Sequence, residues 1–416
     1  MNRTNRRWLV FAPVLLVVGA GAQAAASAPP GTEAATPSEP AAPTALEEPA
    51  PRLVVSDGVA GRVEVIDLLS GQSVGAPIET GGVSTLYTDG RFVFATASDD
   101  NAVTVVDGGS WVEEHGDHVH AFATEPSVVG TIEGPSPVHT VANDDHVLVF
   151  FDGDGTIAAI NTDELPESGA EPELTIVTAG PHHGVAVAID GHLVVSVPGP
   201  TAEDLPTGVE IRHGAEEVEA EFPEDCPEMH GEAAFEDGVL FACDDGALWV
   251  SRGEGGWTAE KVAWPAAATG EARTWSFAHT HGVPLVAGVA GDGLVTVDVH
   301  TGTATRFESP GDVLALAVAE GGSALLAVTR DGVAHLIDSA SGEVTATAPL
   351  VTAVAEDVAS YSPESPKITI DESRAYVSDP ATGTVVEVVT SDGLRTARTF
   401  DLDVAPASLV IVGSGS

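Results

Sequence analysis

A recurring unit of short strands is the feature that most constrains the fold of this chain. The unit is an apolar strand, a turn near Asp-Gly, a second apolar strand, another turn and a strand that often ends in Asp. Copies begin near residues 83, 139, 183, 230, 275, 313 and 367, and the starts at 139, 183 and 230 lie 44 and 47 residues apart. This period is typical of the four-stranded blades of a β-propeller. Helical periodicity is nearly absent, which also favours an all-β fold.

The two ends of the chain supply one more copy. Residues 407–412 resemble an inner strand without a following blade, and residues 53–79 resemble three outer strands without an inner one. Joining them would close the ring with a blade that both termini share. We therefore predict a single β-propeller over residues 52–416, with eight four-stranded blades. Seven blades are the alternative, if the short copies near 281 and 313 form one blade.

The first 51 residues are typical of export and not of a fold. Basic residues near the start precede an apolar stretch and small-residue cleavage positions, which predicts a signal peptide over 1–28. Residues 29–51 are rich in Pro, Ala, Glu and Thr, and we predict a disordered tether there. We expect a periplasmic or other extracytoplasmic protein without stable insertion in the membrane, because the apolar stretch is short for a membrane span.

The cysteine content predicts a disulfide, and the net charge excludes two classes of binding partner. The two cysteines, Cys226 and Cys243, should form a disulfide with each other in an oxidising compartment. A net charge of −47 repels nucleic acid and anionic membranes, so neither is an expected partner. The same charge is equally explained by solubility or by adaptation to salt, and it does not define a function.

A His-rich run points to metal chemistry. Residues 113–120 read Glu-Glu-His-Gly-Asp-His-Val-His, which places three imidazoles and three carboxylates within eight residues. In an extended segment His118 and His120 would lie on the same side. Neutral imidazole is a preferred zinc ligand, and a nearby carboxylate can bind the ion or orient the ring. His115 and Asp117 are therefore further candidates, although a polar loop with incidental histidines is the alternative.

Other histidines recur in register with the repeat. His183-Gly184, His230-Gly231 and His281-Gly282 each lie near the start of an inner strand, and His139 has nearly the same place in its copy. Equivalent repeat positions of a propeller converge on one face. We predict that His139, His183, His230 and His281 approach one another and that His118 or His120 shares a Zn(II) ion with them. The alternative is that each His-Gly only shapes a turn, and copper or nickel would suit the same ligands.

No sequence motif of a common enzyme mechanism is present, and we expect no catalytic activity. Two other classes stay open at this point. One is a metal-free extracytoplasmic scaffold that binds a protein. The other is a calcium-dependent propeller lactonase or esterase, although calcium prefers oxygen ligands and the recurring residue here is histidine.

Three segments together resemble the AztD family of periplasmic zinc metallochaperones. They are His-Gly-Asp-His-Val-His (115–120), Pro-His-His-Gly (181–184) and Cys-Pro-Glu-Met-His-Gly-Glu (226–232), and the resemblance extends over about 52–416. It implies a zinc-binding propeller that passes its metal to the solute-binding protein of a zinc ABC importer. We expect the transfer to proceed by ligand exchange and the protein to be a monomer. Because bound imidazole must be deprotonated, zinc affinity should fall as the pH drops through about 6 to 6.5.

Overall fold

The computed structural model describes residues 43–115, 118–143, 145–165, 174–201, 203–215, 217–223 and 225–414. They belong to one compact unit, 41–416. The signal peptide predicted over 1–28 and the predicted tether up to residue 42 lie outside the described residues, so both stay predictions. None of the helices among the described residues is long and apolar enough to cross a lipid bilayer.

Short strands dominate the described part of the chain, with five single-turn 3₁₀-helices between them: Ser98–Asp100, Thr162–Glu164, Gly270–Ala272, Glu320–Gly322 and Thr390–Asp392. The strands are β1 (Thr44–Leu46), β2 (Arg52–Asp57), β3 (Arg62–Asp67), β4 (Ile78–Glu79), β5 (Thr85–Thr88), β6 (Phe92–Ala97), β7 (Ala102–Asp107), β8 (Ser110–His115), β9 (His118–Ala123), β10 (Ser127–Glu133), β11 (Pro137–Asn143), β12 (His146–Phe151), β13 (Thr156–Asn161), β14 (Thr175–Thr178), β15 (Ala186–Ile189), β16 (His192–Val197), β17 (Gly208–His213), β18 (Glu217–Phe222), β19 (Glu232–Phe235), β20 (Gly238–Cys243), β21 (Gly246–Gly253), β22 (Gly256–Ala263), β23 (Leu285–Ala290), β24 (Gly293–Asp298), β25 (Thr303–Glu308), β26 (Val313–Ala319), β27 (Ala324–Thr329), β28 (Val333–Asp338), β29 (Val344–Pro349), β30 (Ile368–Asp371), β31 (Arg374–Asp379), β32 (Thr384–Val389), β33 (Arg395–Asp401) and β34 (Pro406–Val412).

The described strands form nine antiparallel sheets, seven of four strands and two of three. In most sheets the strands follow one another in chain order, as in β11 to β14, β15 to β18 and β30 to β33. Such four-stranded meanders are the blades of a propeller, and they arise because each apolar run is followed by a tight turn. The prediction of an all-β propeller is confirmed.

The ends of the chain meet in one sheet. Strand β34 pairs with β2, which continues to β3 and β4, and the register joins Leu53 to Ile411 and Val55 to Leu409. The predicted closure by both termini is therefore confirmed. The number of eight blades stays a prediction, because the sheet of β23 to β25 has three strands. Residues 274–278 approach its inner edge through two isolated bridges, Thr274 to Ala290 and Ala278 to Ala287.

One sheet carries an additional hairpin. Between β7 and β10 of the sheet β5-β6-β7-β10 the chain forms the hairpin β8–β9, and β1 pairs with β9. The sequence predicts a tether over 29–51, whereas Thr44–Leu46 of that segment form β1 and the Ala50 carbonyl accepts a hydrogen bond from Ser110 Oγ at 2.7 Å. Backbone pairing does not require apolar side chains, so the composition of the segment did not reveal it.

Neighbouring sheets pack face to face through small and β-branched side chains. In β20, Val239 and Phe241 pack against strands β15 to β17, while Leu240 and Ala242 pack on the other side with residues of β23 and β24. Successive side chains of a strand point to opposite faces, so an inner blade strand is covered on both sides. This explains why the strands read as continuous apolar runs and why the start of each inner strand is held in a fixed place.

Candidate metal centre

Three imidazoles meet where three inner strands begin. His139 lies near the start of β11, His183 precedes β15 and His230 precedes β19. Nε2 of His183 lies 3.4 Å from Nε2 of His139 and 3.4 Å from Nε2 of His230. The structure therefore brings these three predicted residues together from three different sheets.

The outer nitrogen, Nδ1, of each ring faces an oxygen acceptor. The three pairs are His183 Nδ1 and Asp152 Oδ2 at 2.6 Å, His230 Nδ1 and the Trp275 carbonyl oxygen at 2.7 Å, and His139 Nδ1 and Glu232 Oε2 at 3.3 Å. A ring that donates its Nδ1–H keeps the Nε2 lone pair for a metal. All three lone pairs are thus directed into one space by contacts from other strands.

The spacing of the rings fits a zinc ion. Two nitrogens bound to one tetrahedral zinc lie about 3.3 Å apart, and the centres of their rings lie about 5 Å apart. The ring centroids of His183 lie 5.0 Å from those of His139 and 5.2 Å from those of His230. The His139 and His230 centroids are 6.1 Å apart, so one edge of the triangle is about 1 Å too wide.

That wide edge agrees with a further finding. In the part of the chain that the structure describes, no group of three or more His, Cys, Asp or Glu side chains has the geometry of a complete metal site. The two short Nε2 distances and the three anchored Nδ1 atoms nevertheless match the donor set of zinc. For one ion to bind all three rings, the His139 and His230 rings would have to approach each other by about 1 Å.

A buried carboxylate sets the electrostatics of the centre. Burial disfavours the charged form of His139, but the adjacent Glu232 carboxylate and Asp152 outweigh it, so the pKa of His139 is raised above its ordinary value. Burial opposes ionisation of Glu232 as well, but His139, His230 and His279 hold its pKa below the usual range. The pKa of His230 is lowered, chiefly by burial. A charged Glu232 beside the rings favours a cation among them.

The glycines after two of these histidines are required by close packing. A Cβ on Gly184 would lie 2.4 Å from the Phe150 ring. Gly231 has a φ of +75°, and a Cβ there would lie 2.4 Å from the Trp275 carbonyl oxygen. The His-Gly pattern is therefore a packing requirement that also lets the Trp275 carbonyl reach the His230 ring.

The predicted disulfide is confirmed. Cys226 and Cys243 are bonded, and the bridge ties the loop that carries His230 to the end of β20. The His230 backbone N–H donates to the Ala242 carbonyl at 2.9 Å, and the Ala242 N–H donates to the Gly231 carbonyl at 3.1 Å. The loop is thereby held against β20 on both sides of the imidazole.

Several groups at the centre were not predicted as ligand supports. Asp152 begins the turn 152–155, and its side chain contacts His183. Glu232 follows His230 by two residues, and that spacing could have identified it. His279 interacts with Glu232 as well, and its pKa is lowered chiefly by burial.

The placement of His281 in the cluster was wrong. The inner segment of its sheet is 274–278, so His281-Gly282 lies in the turn that leads from this segment to β23. The turn is at the opposite end of the strands from His230. There His281 lines a surface cavity together with Asp237 and His300. At the equivalent position the chain has Trp275, which contributes its carbonyl oxygen and no ligand side chain.

The hairpin β8–β9 lies at the end of its sheet that is away from the three-histidine centre. The start of β11 with His139 is next to the end of β6, since Ser98 Oγ donates to the Pro137 carbonyl at 2.5 Å. Strand β7 runs from that end of the sheet to the other end, and the hairpin begins just after the last residue of β7, Asp107. The length of β7, five residue steps or about 17 Å, separates the two ends of the sheet. The described contacts therefore do not bring His118 and His120 to the three-histidine centre.

Within the hairpin, the register places donors on one face. Trp111 is paired with Phe122, Glu113 with His120, and His115 with His118. The Trp111 and Phe122 rings stack at 5.3 Å, and the centroids of His118 and His120 lie 5.0 Å apart. Asp117 lies outside the described residues, and only the backbone of His115 is described. The expectation that these residues bind metal stays a prediction.

The fold and the centre together define a class: an all-β propeller with a candidate three-histidine metal centre at the start of its inner strands. Comparison with known proteins points to a particular relative. The chain is 24% identical over 375 residues to the zinc chaperone AztD of Citrobacter koseri, and the match covers 87% of this chain and 86% of the relative.

Solved structures of the same relative share the fold. The structure of apo AztD from Citrobacter koseri superposes with a TM-score of 0.78 at 23% identity, covering 89% of this chain and all (100%) of that one. A further crystal structure of Citrobacter koseri AztD gives a TM-score of 0.79 at 23% identity, with coverage of 89% and 99%. No protein-family model matches the chain. The resemblance to AztD inferred from the sequence is confirmed.

Proposed function

We propose that this protein is an exported zinc metallochaperone that carries Zn(II) on His139, His183 and His230. The observation that carries the proposal is the pair of Nε2 distances of 3.4 Å among rings whose Nδ1 atoms all face oxygen acceptors. The role named for the curated relative, zinc chaperone, supports it and is not a catalytic one.

The geometry suggests how zinc would be handed over. Three protein ligands leave one of the four tetrahedral positions of zinc open. The His183 and His139 side chains are 33% and 18% exposed, so a partner's ligand could enter that position from the surface. Each imidazole would then be replaced in turn, and no free aquo ion would be released.

The recipient that we propose is the solute-binding protein of a zinc ABC importer in the same extracytoplasmic compartment. The protein would act as a monomer. Incubating the zinc-loaded protein with that solute-binding protein should transfer zinc faster than a chelator of equal affinity removes it. An equal rate for both acceptors would contradict direct handover.

We further propose that His118 and His120 bind zinc locally, on the hairpin, together with Glu113. Their ring separation of 5.0 Å fits two imidazoles on one ion, and Glu113 is the cross-strand partner of His120. Both rings are exposed, so this site would exchange its ion faster than the three-histidine centre. The shared ion inferred from the sequence is replaced here by two separate ions.

Elemental analysis of protein purified without chelator separates the classes of function. A zinc carrier should retain stoichiometric zinc, and a competition between zinc and copper would show which ion it prefers. A metal-free scaffold would contain no stoichiometric metal. A calcium-dependent lactonase or esterase would hydrolyse lactones or esters only with calcium.

Chelator competition with single variants assigns the sites. We expect H183A to lose the tight zinc equivalent and H118A/H120A to lose only the weaker one. The matched control is H213A, which removes an exposed histidine of β17 and should bind zinc like the wild type. Tight binding that survives H183A would contradict the three-histidine centre, and full stoichiometry in H118A/H120A would contradict the hairpin site.

A further inference from the structure

The position of the loop that carries His230 depends on contacts with residues outside the loop. It connects the end of β18 at Phe222 to the start of β19 at Glu232, and its described residues form no strand. His230 is nevertheless one of the three proposed ligands, and the place of its ring sets two edges of the triangle of imidazoles. What holds this loop therefore bears on metal affinity.

The disulfide is the first of these contacts. Cys226 is bonded to Cys243 at the end of β20, and both cysteines are fully buried. Backbone hydrogen bonds extend the contact: the Cys226 N–H donates to the Thr207 carbonyl at 2.8 Å, and the Met229 N–H donates to the Pro206 carbonyl at 2.8 Å. The loop is thus attached, just before His230, to the end of β20 and to the segment that leads into β17.

The side chain of Arg273 makes the second contact. It is only 1% exposed, and its guanidinium donates to the Glu228 carbonyl at 2.5 Å and to the Ala242 carbonyl at 3.3 Å. The Ala242 carbonyl is the group that also accepts the His230 N–H. Arg273 therefore contacts both the loop backbone just before His230 and the β20 carbonyl that accepts the His230 N–H.

The same arginine also fixes the acceptor of the His230 ring. Its guanidinium carbon lies 3.8 Å from the centre of the Trp275 ring, in stacking geometry. The Trp275 carbonyl oxygen accepts the Nδ1–H of His230 at 2.7 Å. One buried side chain thereby holds both the loop and the carbonyl that orients the imidazole, a task suited to the rigid fork of arginine.

We propose that the Cys226–Cys243 disulfide and Arg273 are positioning groups for His230, and that the zinc affinity of the three-histidine centre depends on both. The inference rests on the proposed function, since it concerns the same centre. Neither group touches the ion. Each acts by keeping His230 in place before zinc arrives, so that binding does not have to order the loop.

The test measures zinc affinity of the mature full-length chain by chelator competition, with Zn(II) as the probe. The variants are C226A/C243A and R273M. Alanine is used because free thiols would themselves bind zinc. Loss of groups that orient a metal ligand typically weakens binding about tenfold to a hundredfold, and we expect that loss in both variants.

The matched control is R398M. Arg398 also stacks on an aromatic ring, that of Phe400, and donates to a backbone carbonyl, that of Leu68, but in a sheet without these histidines. We expect R398M to lower the melting temperature as R273M does and to bind zinc like the wild type. Equal weakening of zinc binding in R398M would show a general loss of stability and would overturn the proposal.

A double-mutant cycle separates positioning from a merely structural role. We expect H230A to weaken zinc binding strongly in the wild type and much less in C226A/C243A or R273M, because His230 is already misplaced there. An equal factor in both backgrounds would overturn the proposal. If H230A leaves wild-type affinity unchanged, the proposed function itself fails. If H230A weakens binding while C226A/C243A and R273M bind like the wild type, only the positioning role fails.

Discussion

Asp152 acts on an imidazole that is distant in sequence. Its Oδ2 lies 2.6 Å from His183 Nδ1, and this contact selects the tautomer whose Nε2 can bind zinc. We expect D152N to weaken zinc binding about tenfold to a hundredfold, as for other groups that orient metal ligands. Chelator competition measures the change.

Asp154 provides the control for that prediction. It lies two residues further along the same turn, is exposed, and accepts a hydrogen bond from the Thr156 N–H at 2.9 Å. D154N removes the same charge near the centre without a contact to His183. If D154N and D152N weaken zinc binding equally, net charge and not orientation is responsible.

The pH dependence of zinc binding should follow His139. Glu232 and Asp152 raise the pKa of His139 against the opposing effect of burial, so its Nε2 gains a proton at a higher pH than an ordinary histidine. Zinc must displace that proton. We expect affinity to begin falling above about 6.5, the ordinary histidine value, as the pH is lowered. Affinity constant down to pH 6, measured with a pH-insensitive competitor, would contradict this.

The sequence indicated the three clustered histidines better than the groups that orient them. His139, His183 and His230 were recognisable because they recur at one repeat position, and strand packing fixes that position in space. Asp152 and the Trp275 carbonyl reach the rings from other sheets, and no local spacing records such contacts. Their roles depend on how far one sheet is rotated against the next, which the sequence pattern does not contain.

At the scale of elements, the turn before β19 is set by one glycine. Gly231 combines a φ of +75° with a neighbouring carbonyl 2.4 Å from any added Cβ. We expect G231A to destabilise the fold by about 2–4 kcal/mol, because backbone strain of about 1 kcal/mol adds to the steric displacement of the Trp275 carbonyl. Zinc binding should weaken as well. Denaturant unfolding measures the first effect and chelator competition the second.

Gly302 separates the two contributions. It has a φ of +62° and nothing within 4 Å of an added Cβ, so G302A carries only the backbone strain of about 1 kcal/mol. G302A should leave zinc binding unchanged. If G231A costs no more than G302A, the close approach of the Trp275 carbonyl does not constrain the turn.

Elements were predicted well where apolar runs define them and less well where topology decides. The alternation of an extended segment correctly put His118 and His120 on one side of β9. The hairpin follows β7, the third strand of its sheet, and this order places it at the end of the sheet away from His139. The pattern of alternating residues does not contain that information. His281 was misplaced because it was matched to the other histidines by its His-Gly pair: its copy of the repeat begins near residue 275, so His281 follows the inner segment instead of preceding it.

The whole molecule depends on the joining of its two ends. Leu53, Val54 and Val55 of β2 are fully buried, and β34 pairs along the same strand. We expect deletion of residues 406–416 to prevent cooperative folding, because it removes the inner strand of the closing sheet and uncovers these side chains. D401A, on the exposed face of β33, should unfold like the wild type. A truncated chain with the wild-type melting temperature would contradict the role of closure.

Anomalous diffraction at the zinc edge, from crystals of the zinc-loaded protein, tests the central claim most directly. We expect the strongest peak about 2.0–2.1 Å from the Nε2 atoms of His139, His183 and His230, the usual distance between zinc and imidazole nitrogen. A structure in which the strongest zinc peak lies elsewhere, with these three nitrogens unbound, would contradict the account.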